Sequence, residues 1–240
     1  MKTAFITGAS QGLGREILAE FSRNGYFVIA TSNRGKVELP GPGKVVPCDL
    51  SDAAAIKNAF AEIDRLDVLV NNARLDPSTR REGEDDASWF DRNIAVSLRG
   101  SYLCALEALR IMSAQNPSGG AIVNVSSIRA IIPNDRERIP YGIAKAGQIS
   151  LTRSLAALGG EKGVRVNAVL PGAVLTENLL RRAGEERLKA VNATIPLGRP
   201  GTMRECAETV RFAAEQTYMT GTCLEISGGK YAVQNARAAW

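Results

Sequence analysis

The chain has 240 residues, of which 45% are hydrophobic and 23% are charged, with a formal net charge of +5 and no histidine. Without histidine there is no Ser-His-Asp triad and no imidazole acid or base, so proton transfer must use Tyr, Lys, Asp, Glu, Cys or water. The four cysteines form no C-x-x-C pair, which argues against a metal site and a disulfide framework.

Apolar patterning and charge also bear on location and partners. No apolar run is long enough to span a membrane, and the apolar stretch at the N-terminus is too short for a signal-peptide core. We therefore expect a cytoplasmic protein without membrane contact. The basic residues are spread along the chain without interleaved aromatics, so we expect an anionic small-molecule substrate rather than nucleic acid.

Short apolar runs alternate with helical patterns along the chain. Strands are predicted at 3–7, 26–31, 44–48, 67–71, 121–126, 164–170 and 222–226, and helices near 12–24, 52–63, 86–114, 140–159 and 203–216. Buried β-branched runs separated by helices indicate parallel strands joined by right-handed crossovers. The predicted fold class is α/β, a single doubly wound Rossmann domain over residues 1–240, with a seven-stranded parallel sheet and helices on both faces.

Two segments depart from this alternation. Residues 33–44 are too rich in Gly and Pro for a good helix, so the second crossover is predicted to be a loop. Residues 173–200 form a long insertion, predicted to be one or two short helices over the strand ends that act as a substrate lid.

A glycine-rich turn, TGASQGLG (7–14), joins the first strand to the first helix. Glycines there let the backbone approach a pyrophosphate, and the helix N-terminus favours its charge. The turn is therefore predicted to bind a dinucleotide through Gly8, Ser10, Gly12, Leu13 and Gly14.

The end of the second strand reads ATSNRGK (30–36) and carries no acid to hold a ribose 2′-hydroxyl. Arg34 and Lys36 are predicted to meet the 2′-phosphate of NADP instead, with Ser32 and Asn33 as further cofactor contacts, although a solvated loop charge and NAD remain open. Asp49 and Leu50 are predicted to contact the adenine, and Asn72 and Ala73 to follow the fourth strand beside the cofactor.

Polar side chains that fit acid–base chemistry follow the fifth strand. NVSS (124–127) ends that strand, and Tyr141 and Lys145 lie four residues apart on one face of the next helix. A phenol is a poor base at neutral pH, and a neighbouring ammonium group stabilises its phenolate. Ser126 or Ser127 would hydrogen-bond a substrate oxygen.

Over nearly its whole length the sequence resembles the short-chain dehydrogenase/reductase family, particularly the branch with 3-oxoacyl-carrier-protein reductases and related ketoreductases. The motifs that carry the resemblance are TGASQGLG, CDL (48–50), NNA (71–73), NVSS, YGIAK (141–145), RVNAVLPG (165–172) and ISGG (226–229). The resemblance implies that Tyr141 is the general acid or base and that Lys145 also holds the nicotinamide ribose. It also implies that Ser127 is the catalytic serine, with Ser126 as the alternative. It implies nicotinamide contacts from Pro171, Gly172, Val174 and Thr176.

The sequence departs from the family pattern at several positions. Arg74 stands where the family has glycine, Ala130 where it often has glycine, and Ser127 and Tyr141 are separated by one residue more than usual. Ser97 replaces a helix asparagine that holds a water in the family's proton relay, so Ser97 is predicted to take this catalytic role. Asn93, one turn earlier, is either a substitute for it or a polar surface residue.

These features predict an NADP-dependent oxidoreductase that moves a hydride between nicotinamide and a carbonyl or alcohol substrate, most simply a ketoreductase. The alternative is a cofactor-binding protein with a regulatory or non-redox role. The substrate is expected to be anionic or carrier-bound, because arginines fall near the predicted strand ends, namely Arg74, Arg129, Arg136, Arg138, Arg181 and Arg182. The resemblance further implies a homotetramer, or a dimer.

Overall fold

A computed structural model of the protein describes residues 1–33, 36–75, 79–176 and 184–231, without the side chains of Glu185 and Arg187. Seven strands form the main sheet: β1 (Thr3–Ile6), β2 (Phe27–Ser32), β3 (Gly43–Pro47), β4 (Val68–Asn71), β5 (Gly120–Val125), β6 (Val164–Pro171) and, last in the chain, β9 (Cys223–Ile226). These strands match the predicted runs to within one residue at each end.

The strands are all parallel and follow the order β3-β2-β1-β4-β5-β6-β9. The chain therefore builds the sheet outward from β1 in one direction and outward from β4 in the other. The chain leaves the carboxyl ends of β1 and β4 toward opposite sides of the sheet, and doubly wound sheets bind ligands in the crevice at such a point. The predicted fold class is confirmed.

The helices are α1 (Gly12–Arg23), α2 (Ala53–Phe60), α3 (Asp86–Asn93), α4 (Gly100–Ala114), α5 (Ile139–Gly159), α6 (Glu185–Ala193) and α7 (Met203–Glu215), and those that pack on the sheet cover both of its faces. Alternate residues of β1 explain why its sequence is apolar throughout. Phe5 packs with residues of α2 and α4, whereas Ala4 and Ile6 pack with residues of α1 and α7. A strand buried on both faces has no polar side to show in its sequence.

The helix predicted over 86–114 is interrupted. A π-helical turn, Ile94–Arg99, joins α3 to α4. A π-helical turn replaces i→i+4 hydrogen bonds by i→i+5 bonds, so it accommodates an extra residue without ending the helix. The apolar periodicity of the sequence does not reveal so short a change.

The segment 173–200 contains α6, and a small parallel pair flanks it, β7 (Val174–Leu175) with β8 (Gly201–Thr202). Residues 177–183 of this segment lie outside the described residues. In the predicted loop 33–44, the described residues form no helix. Within the described part of the chain, no helix is both long and apolar enough to cross a membrane.

Candidate active site

A cavity of about 720 Å³ opens at the carboxyl ends of the central strands. It brings together most residues predicted to bind the cofactor: Gly8, Ser10, Gly12, Leu13, Gly14, Ser32, Asn33, Asp49, Leu50, Asn72, Ala73, Tyr141, Pro171, Gly172, Val174 and Thr176. Ser127 also lines it. Lys145 and Ser97 lie behind its wall, and Arg34 lies outside the described residues.

The glycine turn after β1 needs its glycines. Gly8 and Gly12 have φ angles of +66° and +54°, in the left-handed region that favours glycine. A Cβ on Gly8 would lie 2.8 Å from the Cα of Ala73, and a Cβ on Gly14 would collide with the Gly8 carbonyl oxygen. The turn, the start of α1 and the loop after β4 are therefore packed too closely for a side chain at Gly8 or Gly14, whereas Gly12 is required only by its φ angle.

Asn72 and Thr7 fasten this turn to β4. The Asn72 Nδ2 donates hydrogen bonds to the carbonyl oxygens of Thr7 and Gly8, at 3.0 and 3.2 Å. The Thr7 hydroxyl accepts from the backbone N–H groups of Asn72 and Ala73, each at 3.0 Å. These bonds hold the glycine turn rigidly at the cavity wall.

The N-terminus of α1 fits a dinucleotide. The N-cap residue Gln11 makes no capping hydrogen bond through its side chain, and no acid lies in the first turn. The first N–H groups of a helix lack partners within it and attract anions. With a glycine cradle in front of them, these groups are suited to a pyrophosphate.

The other end of the cavity is formed by the ends of β2 and β3. Ser32 is buried there, at the position where an acid would hold a ribose 2′-hydroxyl. The Asp49 carboxylate accepts hydrogen bonds from the Asn33 Nδ2, at 2.9 Å, and from the Ser51 backbone N–H, at 2.8 Å. Asn33 and Asp49 therefore form a joined polar edge.

The two serines that follow β5 have different surroundings. The Ser126 hydroxyl is buried and donates to the Lys145 carbonyl oxygen, at 2.8 Å. The Ser127 hydroxyl accepts from the Arg129 backbone N–H, at 3.1 Å, and reaches the Pro171 carbonyl oxygen only at 3.5 Å. The proton of the Ser127 hydroxyl is thus weakly engaged, whereas that of Ser126 is committed to helix α5.

Tyr141 and Lys145 lie on consecutive turns of α5, with Tyr141 half-buried at the cavity. Lys145 is 1% exposed, and its Nζ lies 5.6 Å from the centre of the Tyr141 ring. The Nζ donates to the Val125 carbonyl oxygen, at 2.6 Å. Burial, and then the positive charge of Arg74, lower the pKa of Lys145 to about 7.

Arg74 follows β4 and is exposed at the cavity, with its guanidinium carbon 5.8 Å from the centre of the Tyr141 ring. Two of the other predicted arginines are engaged elsewhere. Arg136 forms an ion pair with Asp86, at 2.7 Å, and Arg138 forms one with Asp135. Arg181 and Arg182 lie outside the described residues.

Ser97 and Asn93 are both fully buried. The Ser97 hydroxyl accepts from the Leu75 backbone N–H, at 3.3 Å, and the Asn93 Nδ2 donates to the Trp89 carbonyl oxygen, at 3.0 Å. The interpretation of Asn93 as a surface residue is wrong, because its side chain is buried on α3, a helix that packs against α5. Among the described residues, the Lys145 Nζ bonds Val125 and Gln148 and neither of these two side chains.

Gln148 was missed by the sequence analysis. It is fully buried on α5, and its Oε1 accepts from the Lys145 Nζ, at 3.0 Å. Its spacing of three residues from Lys145 on one helix face was the signal that could have found it. Further residues that the sequence analysis did not single out line the cavity, among them Gln11, Thr31, Leu75, Thr79, Arg81, Arg92, Ala95 and Val96.

Comparisons with known proteins agree with this geometry. Residues 8–230 match a family model described as "Enoyl-(Acyl carrier protein) reductase". An uncharacterised short-chain type dehydrogenase/reductase of Sinorhizobium fredii is 36% identical over 98% of this chain, although the chain spans only 44% of that protein's length. A 3-oxoacyl-(acyl-carrier-protein) reductase of Rickettsia bellii is 32% identical over 95% of this chain and 96% of its own length.

The chain belongs to the short-chain dehydrogenase/reductase family. A solved member of the family, a putative 2-deoxy-D-gluconate 3-dehydrogenase from Agrobacterium tumefaciens with bound NADP, superposes with a TM-score of 0.84. It is 29% identical, with 96% of each chain covered. The resemblance noted in the sequence is confirmed, and family membership makes the chain a nicotinamide-dependent oxidoreductase that acts on CH–OH and C=O groups.

Proposed function

We propose that this chain is an NADP-dependent reductase of a carbonyl compound that carries an anionic group or is bound to an acidic carrier protein. The observation that supports this most is the meeting of three groups at one cavity: the Ser127 hydroxyl, the Tyr141 phenol and, behind it, the buried Lys145 ammonium. The other end of the same cavity is the glycine turn that opens α1, which suits a dinucleotide.

The chain's own residues supply the proton and stabilise the charge, while bound NADPH supplies the hydride. Tyr141 gives its hydroxyl proton to the carbonyl oxygen as the alcohol forms. The Ser127 hydroxyl exchanges its long contact with Pro171 for a hydrogen bond to the same oxygen. The Lys145 ammonium stabilises the phenolate that Tyr141 becomes.

The preference for NADP over NAD rests on Ser32. A carboxylate at this position would repel a 2′-phosphate, whereas a serine hydroxyl donates a hydrogen bond to it. Reduction is the proposed direction, because cells keep NADP mostly in its reduced form. The Agrobacterium tumefaciens relative was solved with bound NADP, and its structural similarity to this chain supports the proposal of NADP as the cofactor.

The anionic group of the substrate is proposed from the charges around Tyr141. Arg74 places a guanidinium group beside the ring. Arg129, in the turn of Ser127, lies close enough to Lys230 that its charge, after burial, lowers the pKa of that lysine. Clustered cations attract an anion, so a carboxylate, a phosphate or an acidic carrier protein would fit here.

The lid, the domain and the assembly complete the proposal. We propose that residues 173–200 close over the substrate and that residues 1–240 fold as one domain. A cytoplasmic location remains a prediction. A homotetramer, with a dimer as the alternative, is proposed because α4 and α5 expose large apolar side chains, Tyr102, Leu106, Ile143 and Leu158.

The absorbance of NADPH, followed with a panel of ketones and aldehydes, tests the reaction. Wild type should oxidise NADPH, and Tyr141→Phe should lose at least ~10²-fold of kcat while keeping its affinity for NADPH. Near-native kcat in Tyr141→Phe would remove Tyr141 from the general-acid role. Tight NADPH binding without turnover on any carbonyl would favour the regulatory alternative.

A keto carboxylate compared with its methyl ester tests the anionic group. Arg74→Gln should lower kcat/KM for the carboxylate ~10-fold, on the scale of a hydrogen bond to a charged group, and leave the ester nearly unchanged. Arg136→Gln is a matched control, because Arg136 is paired with Asp86. Equal losses on both substrates would refute the role of Arg74 in recognising charge.

A further inference from the structure

Gln148 links the active-site lysine to the neighbouring helix. Its Oε1 accepts from the Lys145 Nζ, while its Nε2 donates to the Ser97 carbonyl oxygen, at 3.0 Å, and to the Ser101 hydroxyl oxygen, at 2.8 Å. Reversing the amide would turn its NH₂ toward the ammonium group and its oxygen toward a carbonyl oxygen. The network therefore fixes the amide in one orientation, with its oxygen on Lys145.

The Lys145 ammonium is held from two elements. The Val125 carbonyl oxygen at the end of β5 accepts one N–H, and Gln148 accepts a second. An ammonium group has three N–H donors, so one remains for the Tyr141 side and the cofactor. Without Gln148 the contact with Val125 would leave the group free to turn about its stem.

The far end of the link is the π-helical turn. The Ser97 carbonyl oxygen accepts from the Ser101 hydroxyl, at 3.1 Å, as well as from Gln148. The Ser97 hydroxyl accepts from Leu75, one residue after Arg74. Gln148 thus ties Lys145 to the turn that also supports the loop carrying Arg74.

We propose that Gln148 is a positioning residue that holds the Lys145 ammonium group between β5 and the π-helical turn, so that Lys145 can act on Tyr141. This inference rests on the proposed function, because it concerns how Lys145 assists proton transfer by Tyr141. A buried glutamine that served only the core would have no effect on the ammonium group.

The contact between Gln148 and Lys145 should affect the pKa of Lys145, which can be measured. Arg74 faces it from the loop after β4, and Tyr141 lies on its own helix. The recorded partners from β5 and from Gln148 are neutral oxygens. An amide oxygen favours the charged ammonium, so it opposes the lowering of the Lys145 pKa by burial and Arg74.

Three variants separate positioning from packing. Gln148→Met keeps the side-chain length but removes the acceptor, Gln148→Glu keeps an oxygen and adds a charge, and Thr152→Val is the control. Thr152 is buried one turn further along α5 and bonds the Gln148 backbone carbonyl and Asn124, with no recorded contact to Lys145. Circular dichroism and NADPH binding check the fold of each variant.

The pH–rate profile for carbonyl reduction gives the first readout. Activity requires charged Lys145, so the alkaline limb should move to lower pH in Gln148→Met, by about one unit, and to higher pH in Gln148→Glu. The kcat of Gln148→Met should fall at least ~10-fold with little change in substrate KM. Thr152→Val should leave both unchanged.

A second readout needs no turnover. In protein labelled with carbon-13 lysine, the Lys145 signal is assigned by its loss in Lys145→Met, and its titration midpoint should shift in the same directions. An unchanged midpoint in Gln148→Met, or an equal shift in Thr152→Val, would overturn the proposal. Absence of NADPH oxidation by wild type would instead refute the proposed function, and the lysine titration would still decide on Gln148.

Discussion

The Lys145→Met substitution should abolish a pH dependence of stability that wild type carries without bound cofactor. Lys145 has a pKa of about 7 in the folded protein, against 10.5 as the ordinary value. Between these values the unfolded chain holds a proton that the folded protein has released, so stability rises with pH. Below pH 7 both states are protonated, and above 10.5 both are neutral, so the slope vanishes on either side.

The magnitude follows from the interval between the two pKa values. One titrating group changes the unfolding free energy by at most about 1.4 kcal/mol per pH unit, and the whole interval corresponds to about 5 kcal/mol. Methionine carries no proton at this position. The hydrogen bonds of Lys145 to Val125 and Gln148 are lost in this variant at every pH. This loss shifts the whole plot of unfolding free energy against pH and leaves its slope unchanged.

Urea unfolding at a series of pH values measures this. The free energy of unfolding of Lys145→Met is subtracted from that of wild type at each pH. Contributions from other titrating groups are common to both proteins and cancel. The difference should rise between pH 7 and 10.5 and then level off. Lys162→Met is the control, because Lys162 is exposed and its curve should run parallel to wild type. If the curve of Lys145→Met also ran parallel to wild type, the reasoning would be refuted, because the pKa of Lys145 would then be the same in the folded and unfolded states.

Three further predictions concern cofactor, assembly and proton delivery. Ser32→Asp should shift preference from NADP toward NAD in calorimetry, and tighter NAD than NADP binding by wild type would contradict our interpretation of Ser32. Light scattering at micromolar concentration should give a tetramer mass, whereas a monomer mass would count against the proposed assembly. Ser97→Ala should slow turnover modestly, because the Leu75 N–H loses the Ser97 hydroxyl as its acceptor. The activation free energy should rise by ~0.5–1.5 kcal/mol. Asn93→Ala should leave the pH–rate profile unchanged, and the reverse result would assign proton delivery to Asn93.

Much of the fold could be predicted because a parallel sheet covered on both faces leaves a strong trace in sequence. Phe5 and Ile6 face opposite layers of helices, so neither is polar, and Leu69 and Val70 of β4 do the same. The glycine turn was equally readable, because only glycine fits where Gly8 and Gly14 press against neighbouring backbone. These features depend on residue type and order alone.

The arginines show where sequence order is not enough. Arg136 and Arg138 fall in the same predicted strand-end region as Arg129, yet acids on α3 and in their own turn pair with them. The pairing of Arg136 with Asp86 depends on where the long loop after β5 folds back, whereas Arg138 pairs with Asp135 inside its own turn. The sequence therefore identified the segments that border the opening of the cavity, but it did not show which of their charges face the substrate.

Ser97 and Gln148 show the same limit inside the site. Judged separately, Ser97 was a departure from a family pattern and Gln148 an unremarked polar residue in an apolar helix. In the folded protein they are joined, because the Ser97 carbonyl oxygen receives the Gln148 amide across 51 residues of sequence. The Ser97 hydroxyl accepts from Leu75 and forms no hydrogen bond with Lys145, whereas the Gln148 amide bonds both the Lys145 Nζ and the Ser97 carbonyl oxygen. The identity of the side chain at 97 therefore matters less than the backbone oxygen that the turn presents, and proton-transfer defects should follow position 148 more closely than position 97.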